Sequence, residues 1–434
     1  MSAEAPADGP ADQGTRLVRD RSFQLFWLAQ TVSLAGSAVT WVVLPLLMYQ
    51  RSGSALDTSL LATTEAIPYV VLGPLAGAVS DRVRRQPFLV VFDVLSAAAI
   101  AVIPVSGALG MLSVPVIFAV AFGAGICFVW YDAALFGAVP ALVGTAGLVR
   151  ANPLLQGGAT AASLAGPAIG ATLATAIGAA PALSLDAASF AVSAALISLI
   201  RRPLQPARTG QAGHPGRDRG RRLGTEIAAG FRFLRAEHVI RALTGISLAV
   251  SVAGGAVFGL LVIYATQALG LSARSPLIGL LYTAMAAGGL GAATYASVAG
   301  RRLGPLRAAL WALTATPVAL AAVALVNDVA AALALLVIWS ATYSGVTINA
   351  ITARQVRIPG QLQGRVNTTA RLLGRGLGWP AGAAAGGVLA ASPGVRTTYI
   401  IVAAGLAIMA IVSWLSPLQS QGDHRREATI SPES

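Results

Sequence analysis

The sequence predicts an all-α integral membrane protein with twelve transmembrane helices in two pseudo-symmetric six-helix bundles. Three observations carry that expectation. The 434 residues are 56% hydrophobic and only 11% charged, with a mean hydropathy of +0.72, too few charges to coat a soluble particle of this size. Twelve apolar stretches between Phe23 and Ser416 each reach the roughly 20 residues that a helix needs to cross about 30 Å of hydrocarbon. A single arginine-rich loop divides them six and six.

The segments are 23–50, 57–79, 88–108, 113–138, 153–178 and 181–200, then 243–268, 276–299, 306–325, 330–351, 366–391 and 396–416. Gly and Pro recur inside them, as spanning helices tolerate. Residues 1–21 are polar, lack the charged-then-apolar build of a cleavable signal peptide, and read as a disordered cytoplasmic tail. Residues 22–200 form the N-terminal bundle, 242–417 the C-terminal bundle and 418–434 a second cytoplasmic tail. The linker 201–241 starts with Arg, Pro, Gly and Gln and continues from Glu226 through Phe231 and Phe233 to His238. The apolar residues of that second part share one helical face flanked by arginines, which reads as an interfacial helix.

The net charge of +13 would suggest nucleic acid in a soluble domain, whereas in a membrane protein the position of each charge sets topology. All 30 basic residues are arginine. With the N-terminus inside, 27 of them lie in the tails and the even-numbered connections, and the outer loops hold only Arg51, Arg274 and Arg396. That asymmetry puts both termini in the cytoplasm, at the plasma membrane, and argues against a nucleic-acid partner. The lack of lysine excludes a P-loop and a pyridoxal Schiff base. Heavy Arg, Ala and Gly use points to a high-GC bacterial genome. Cys127 stands alone, so it forms no disulfide or thiolate metal site within the chain. No cofactor or metal is expected.

The two halves read as diverged copies. Gly77-Ala-Val-Ser-Asp81-Arg82-Val-Arg84-Arg85 follows segment 2, and Ala296-Ser-Val-Ala-Gly300-Arg301-Arg302-Leu-Gly304 stands at the equivalent place after segment 8. Arg150-Ala-Asn152 precedes segment 5, as Arg365-Val-Asn367 does segment 11. At these residues the chain resembles the major facilitator superfamily along its whole spanning length. Gly77-x3-Asp81-Arg82-x2-Arg85 resembles that superfamily's loop between helices 2 and 3, with Arg84 where glycine is usual. Ala162-x3-Gly166-Pro167-x2-Gly170-Ala171 resembles the helix 5 pattern of its drug-export branches, with alanine for glycine at two positions. Pro359-Gly-Gln-Leu-Gln-Gly364-Arg365-Val366 is similar to the loop leading into helix 11 of bacterial macrolide and siderophore exporters. The resemblance implies alternating access, with helices 2 and 11 facing each other between the halves and helices 3, 6, 9 and 12 as peripheral supports.

Polar side chains gain nothing against lipid, so polar stripes mark helices that line a cavity or pack on one another. Segment 1 carries Gln30, Ser33, Ser37, Thr40 and Trp41; segment 5, Asn152, Gln156, Thr160 and Ser163; segment 7, Ser247, Ser251, Phe258, Tyr264 and Gln267. Segment 10 carries Trp339, Tyr343 and Thr347, and segment 11, Asn367, Arg371, Arg375 and Trp379. Gln30, Ser37, Trp41, Gln156, Tyr264, Trp339, Tyr343 and Arg371 are the expected substrate-cavity residues.

A charged group at the bilayer centre costs at least about 2.5–3.5 kcal/mol, so each embedded acid needs a reason. Asp93 and Asp132 lie near the inner surface and are expected to latch the loop of Gly77, Asp81, Arg82 and Arg85, a role the resemblance implies for that loop. Asp186 is expected to be structural. Glu65 lies about 12 Å below the outer start of segment 2, and Arg375 about 16 Å from the outer surface in segment 11. An ion pair between them would bridge the two halves and couple protonation to their motion, since a carboxylate beside an arginine stays charged until the pair separates. A static ion pair, or a water-exposed Glu65 at a cavity rim, is the alternative.

The expected function is a monomeric secondary transporter in the lipid bilayer, exporting a small amphipathic compound (natural product, antibiotic or siderophore) in exchange for protons. An importer or facilitator on the same fold is the first alternative. A non-transporting sensor or membrane enzyme is the second, disfavoured because the loops are short and His214, His238 and His424 are scattered outside the spans.

Overall fold

The computed structural model describes residues 20–80, 83–202, 204–205, 237–358, 366, 369–370 and 372–416. Asp20 starts the first helix, its carboxylate accepting from the Ser22 and Phe23 amides at 2.8 and 3.3 Å and so satisfying two of the donors that a helix start leaves open. Helix α1 runs Arg21–Ser52, α2 Ala55–Ser80 and α3 Arg85–Ala108. Helices α4 (Val114–Gly144) and α5 (Ala151–Ile177) follow with almost no interruption. The break between them is Gly144, at φ 70° and ψ 168°, a backbone conformation that only glycine adopts without strain. Helix α6 spans Ala179–Ser198.

The second half begins with α7, His238–Gly259, which continues through Leu261–Ile263 into a π-turn at Tyr264–Ala268. Next come α8 Leu277–Leu303, α9 Pro305–Leu325 and α10 Val329–Arg357, the last capped by Asp328, which accepts from the Ala331 amide at 2.8 Å. A π-helix at Leu372–Gly378 leads into α11, Trp379–Ala390, and α12 is Gly394–Leu415. Ten of the described helices are long and apolar enough to cross a membrane. Helix α2 and the stretch Leu372–Ala390 occupy the positions expected for segments 2 and 11.

The sequence reading differs from this in three places. Helix α7 starts at His238, inside the expected linker, because Val239, Ile240 and Leu243 are already buried. Segments 7 and 11 each contain a π stretch where an unbroken α-helix was expected. Helix α10 runs six residues past its expected end, to Arg357. The expected interfacial helix from Glu226 lies outside the described residues up to Arg235 and Ala236, as do most of both tails.

Lipid is as apolar as leucine, so the helices are held by close packing and interhelical hydrogen bonds rather than by burial of oily surface. In the first half α1 packs on α5 and α6, and α3 on α6; in the second, α8 and α9 pack on α10, α9 on α12, and α7 on α11. Val91, Val94, Val102 and Val105 of α3 and Ile408, Ile411 and Leu415 of α12 are left exposed, as peripheral helices facing lipid require.

The halves meet where α2 packs on α11 and α5 on α8. On the face opposite the termini a single buried core runs through both halves, joining Val43, Leu61 and Ala171 to Leu261, Ile278 and Val323. Towards the termini the core divides. Phe26, Leu89, Ala138 and Ile197 form one cluster in the first half, and Leu243, Leu310, Val346 and Leu406 form another in the second. Four hydrogen bonds cross the seam on the joined side: Gln50 Nε2 to Ala273 O at 2.8 Å, Thr175 Oγ1 to Arg274 O at 2.7 Å, Thr283 Oγ1 to Leu164 O at 3.1 Å and Thr63 Oγ1 to Pro380 O at 2.9 Å. Among the described residues, the halves share one core at the far face and have separate cores at the terminal face.

Candidate functional site

Directly beneath the shared core, one acid and a run of aromatic rings stand at the seam. Glu65 sits near the middle of α2, with its backbone against Gly125 of α4, where a Cβ would lie 2.6 Å from the Glu65 carbonyl oxygen. Across the seam, Tyr282 stands on α8. Tyr282 meets Phe258 of α7 edge to face at 5.3 Å, and Phe258 meets Trp379 of α11 at 5.6 Å. Trp379 and Tyr343 both close on Gly254, where a Cβ would lie 2.8 Å from Trp379 Cζ3 and 2.6 Å from the Tyr343 hydroxyl. Tyr343 in turn packs on Trp339 at 5.3 Å. Glu65, Phe258, Tyr343 and Trp379 remain half-buried, while Tyr282 and Trp339 are buried. The Tyr282 hydroxyl and the Trp339 indole N–H have no hydrogen-bond partner among the described residues.

Arg375, the expected partner of Glu65, belongs to the π-helix Leu372–Gly378. That stretch packs against α2, with Gly376 close to Val70, so the expected facing of helices 2 and 11 is present. The Arg375 side chain lies outside the described residues, as do Arg371, Asp81 and Arg82. Gly77 is in the last turns of α2. Arg85 Nη1 donates to Gly137 O at 2.8 Å, tying the start of α3 to α4. Asp132 is half-buried five residues earlier on α4.

Asp93 does not turn to the loop. It lies eight residues beyond Arg85, about 12 Å along α3, and is fully buried against α6, where Ser193 Oγ donates to its Oδ2 at 2.7 Å. Asp186 is held between α6 and α1, accepting from Thr40 and, at 3.2 Å, from Ser189.

The expected cavity residues separate into two groups. Tyr264 is not in the cavity: it lies in the core, where its hydroxyl donates to Val323 O at 2.7 Å and its ring stacks on Tyr399 at 5.4 Å. Gln30 is buried and donates to the Tyr131 hydroxyl at 2.5 Å, joining α1 to α4. Trp41 is 50% exposed, Ser37 is half-buried, and Gln156 is exposed on α5. The Gly166-Pro167-Gly170 pattern has two packing faces. Gly166 and Gly170 let α5 lie against Ala35, Ala38 and Val39 of α1, and the Pro167 carbonyl faces Gly279 of α8 across the seam.

Among the described residues no cluster of His, Cys, Asp and Glu could hold a metal ion. A carboxylate on one half and aromatic rings on the other thus stand at the seam, below the core that joins the halves.

Residues 16–431 match the pattern of a family described as transmembrane secretion effectors. The multidrug efflux pump Tap of Mycolicibacterium fortuitum is 27% identical over 406 residues, which is 91% of this chain and 95% of that protein. Macrolide efflux protein A of Streptococcus pyogenes is 25% identical over 181 residues, covering 42% of this chain and 45% of that protein. A crystal structure of a bacterial homologue of the iron transporter ferroportin, in an inward-facing state, superposes with a TM-score of 0.70 at 16% identity, covering 91% of this chain and 98% of that one.

Proposed function

We propose, from the premise that the chain belongs to the transmembrane secretion effector family of the major facilitator superfamily, that it exports small amphipathic, drug-like compounds. The relatives matched along the chain are efflux pumps. The observation that carries the mechanism is the core, shared by the halves at the far face and divided between them at the terminal face. Two bodies packed in that way can rock about a site at their seam, which is alternating access. With both termini in the cytoplasm, as the arginine asymmetry supports, the terminal face opens inward and is the state that loads substrate for export.

No nucleotide motif is present in the sequence, so uphill export draws on an ion gradient. Proton exchange through Glu65, with Arg375 as its counter-charge on the opposite half, is the coupling we favour. Expression in cells stripped of their own pumps is expected to lower accumulation of a fluorescent amphipathic dye several-fold, and a protonophore is expected to abolish the difference. Accumulation unaffected by a protein that is present in the membrane would sink the export reading. In the same assay Asp81→Asn and Arg82→Ala are expected to lose transport at undiminished abundance, because this loop gates the terminal face instead of binding substrate. Normal transport per molecule with lowered abundance would reduce the motif to a structural one.

The topology has its own test. Cysteines at Ser2, Gly213 and Ser434, each in a chain with Cys127 replaced by alanine, are expected to resist an impermeant thiol reagent in intact cells and to react once the membrane is opened. Reaction from outside at Gly213 would reverse the orientation.

A further inference from the structure

We propose that the outer groove between α9 and α12, far from the seam, binds one anionic phospholipid of the leaflet on the terminal side, with an acyl chain in the groove and the phosphate at Arg307. This goes beyond the export reading and does not depend on it. The groove has a volume of about 570 Å³ and exists because the facing side chains are too small to fill it: Pro317 and Ala321 stand on α9 opposite Ala403, Ala404, Ala407 and Ala410 on α12. Val318, Ile411 and Leu415 at its rim are exposed. The polar side chains of its wall are already engaged, since Trp414 Nε1 donates to Thr314 Oγ1 at 2.9 Å and that hydroxyl donates to Leu310 O at 3.0 Å. The wall therefore suits hydrocarbon, and its α12 side, from Ile400 to Leu415, runs about 22 Å along the helix, enough for the roughly 15 Å of one leaflet's hydrocarbon.

Charge selects the occupant. Arg307, Trp311, Thr314 and Val318 follow one another at steps of four, three and four along α9, so the exposed arginine stands at the terminal end of the face that lines the groove. Arg301 and Arg302 close α8 just before, and the sequence holds no acid from Arg301 to Leu325 or from Gly394 to Ser416. Trp311 and Trp414 meet edge to face at 5.2 Å at this same end, the level at which tryptophans mark the boundary between headgroups and hydrocarbon. A phosphate would find only positive charge there, and arginines close to the surface attract anionic lipid. A second copy of the chain with the same orientation in the membrane would instead bring its own arginines to this end, like charge against like. An acyl chain also restores the dispersion contacts that the small side chains leave unmade.

The test titrates the full chain in detergent with dioleoylphosphatidylglycerol or dioleoylphosphatidylcholine, which share their acyl chains and differ in net charge, and counts bound lipid by native mass spectrometry. The wild-type chain is expected to take up its first phosphatidylglycerol several-fold more tightly than phosphatidylcholine. Arg307→Gln is expected to weaken phosphatidylglycerol about fivefold, the effect of one arginine near an anionic surface, and to leave phosphatidylcholine unchanged, which also reports that the variant is folded. Ala404→Phe fills the groove and is expected to lose this first-bound lipid of either kind. Gly405→Phe is the control: Gly405 is exposed beside Ala404, and a Cβ there meets nothing within 4 Å, so it should bind as the wild type does. Equal affinity of the wild-type chain for the two lipids would overturn the proposal, as would a phosphatidylglycerol affinity that either Arg307→Gln or Ala404→Phe leaves unchanged. A dimer that Ala404→Phe disrupts and phosphatidylglycerol does not displace would give the groove to a second copy and overturn it as well.

Discussion

In proteoliposomes with an imposed gradient of one pH unit, the Glu65→Gln chain is expected to exchange a neutral amphipathic substrate but no longer to accumulate it. One pH unit is worth about 1.4 kcal/mol per proton and sustains about tenfold accumulation at one proton per substrate, so the wild-type ratio of about ten should fall to unity. The amide keeps the size and hydrogen-bonding reach of the protonated acid but cannot release a proton. It therefore leaves the rocking of the halves intact and removes what the gradient acts on. Arg375→Ala removes the proposed counter-charge from the opposite half. If the two groups interact, the double variant should be less impaired than the two single losses combined, the deviation from additivity that contacting residues show. Gradient-driven accumulation by Glu65→Gln at the wild-type ratio would transfer the proton role elsewhere, and the buried, hydroxyl-bonded Asp93 and Asp186 would be the acids to examine next.

The layout of the fold was legible because a membrane leaves the backbone few choices. Every polar main-chain group in hydrocarbon must bond within its own helix, so runs such as 88–108 and 306–325 could be placed within a few residues of α3 and α9. Irregular backbone was not legible. The π stretches at Tyr264–Ala268 and Leu372–Gly378 carry no sequence mark that sets them apart from the regular helix around them. A stripe counted at 3.6 residues per turn put Tyr264 in the cavity, whereas α7 breaks at Leu260 before that residue is reached and Tyr264 lies in the core beside Tyr399.

At the site, sequence spacing identified Glu65, Trp339 and Tyr343 but passed over Tyr282. The signal it offered was an aromatic in the aliphatic run Leu277-Ile-Gly-Leu-Leu-Tyr282 near the start of segment 8. Asp93 shows the other failure. Its distance from the arginine loop along the chain is short, but the helix rotates it towards Ser193 of α6, and only the neighbouring helix can supply that information. Acids were readable as costly and in need of a partner; which partner each takes is a property of packing.

Replacing Gly279 by leucine is expected to abolish export while leaving the protein in the membrane. Gly279 lies where α8 crosses α5 in the far-face seal, and any Cβ there would collide with the Pro167 carbonyl and stand 2.6 Å from the Ala171 methyl. Neither half relies on this contact for its own terminal-side core, so the strain falls on the state in which the halves close. Overpacking costs about 1–3 kcal/mol, which shifts a two-state balance by roughly 5- to 150-fold towards the conformation open at the far face. The shift has a direct readout. With Cys127 replaced, a cysteine at Thr283, which in this structure donates across the seam to Leu164 O, should be shielded from an impermeant thiol reagent in the otherwise wild-type chain and reactive from outside in Gly279→Leu. Gly405→Leu is the matched control, because a Cβ on that exposed glycine of α12 meets nothing within 4 Å, and it should transport normally. Gly387 provides an independent second point on the seal, since a Cβ there would strike the Ser59 hydroxyl of α2. If Gly279→Leu and Gly387→Leu both export at the wild-type rate, the contact of α5 with α8 and of α2 with α11 does not open and close during transport, and the rocking of two rigid halves is the wrong description of this protein.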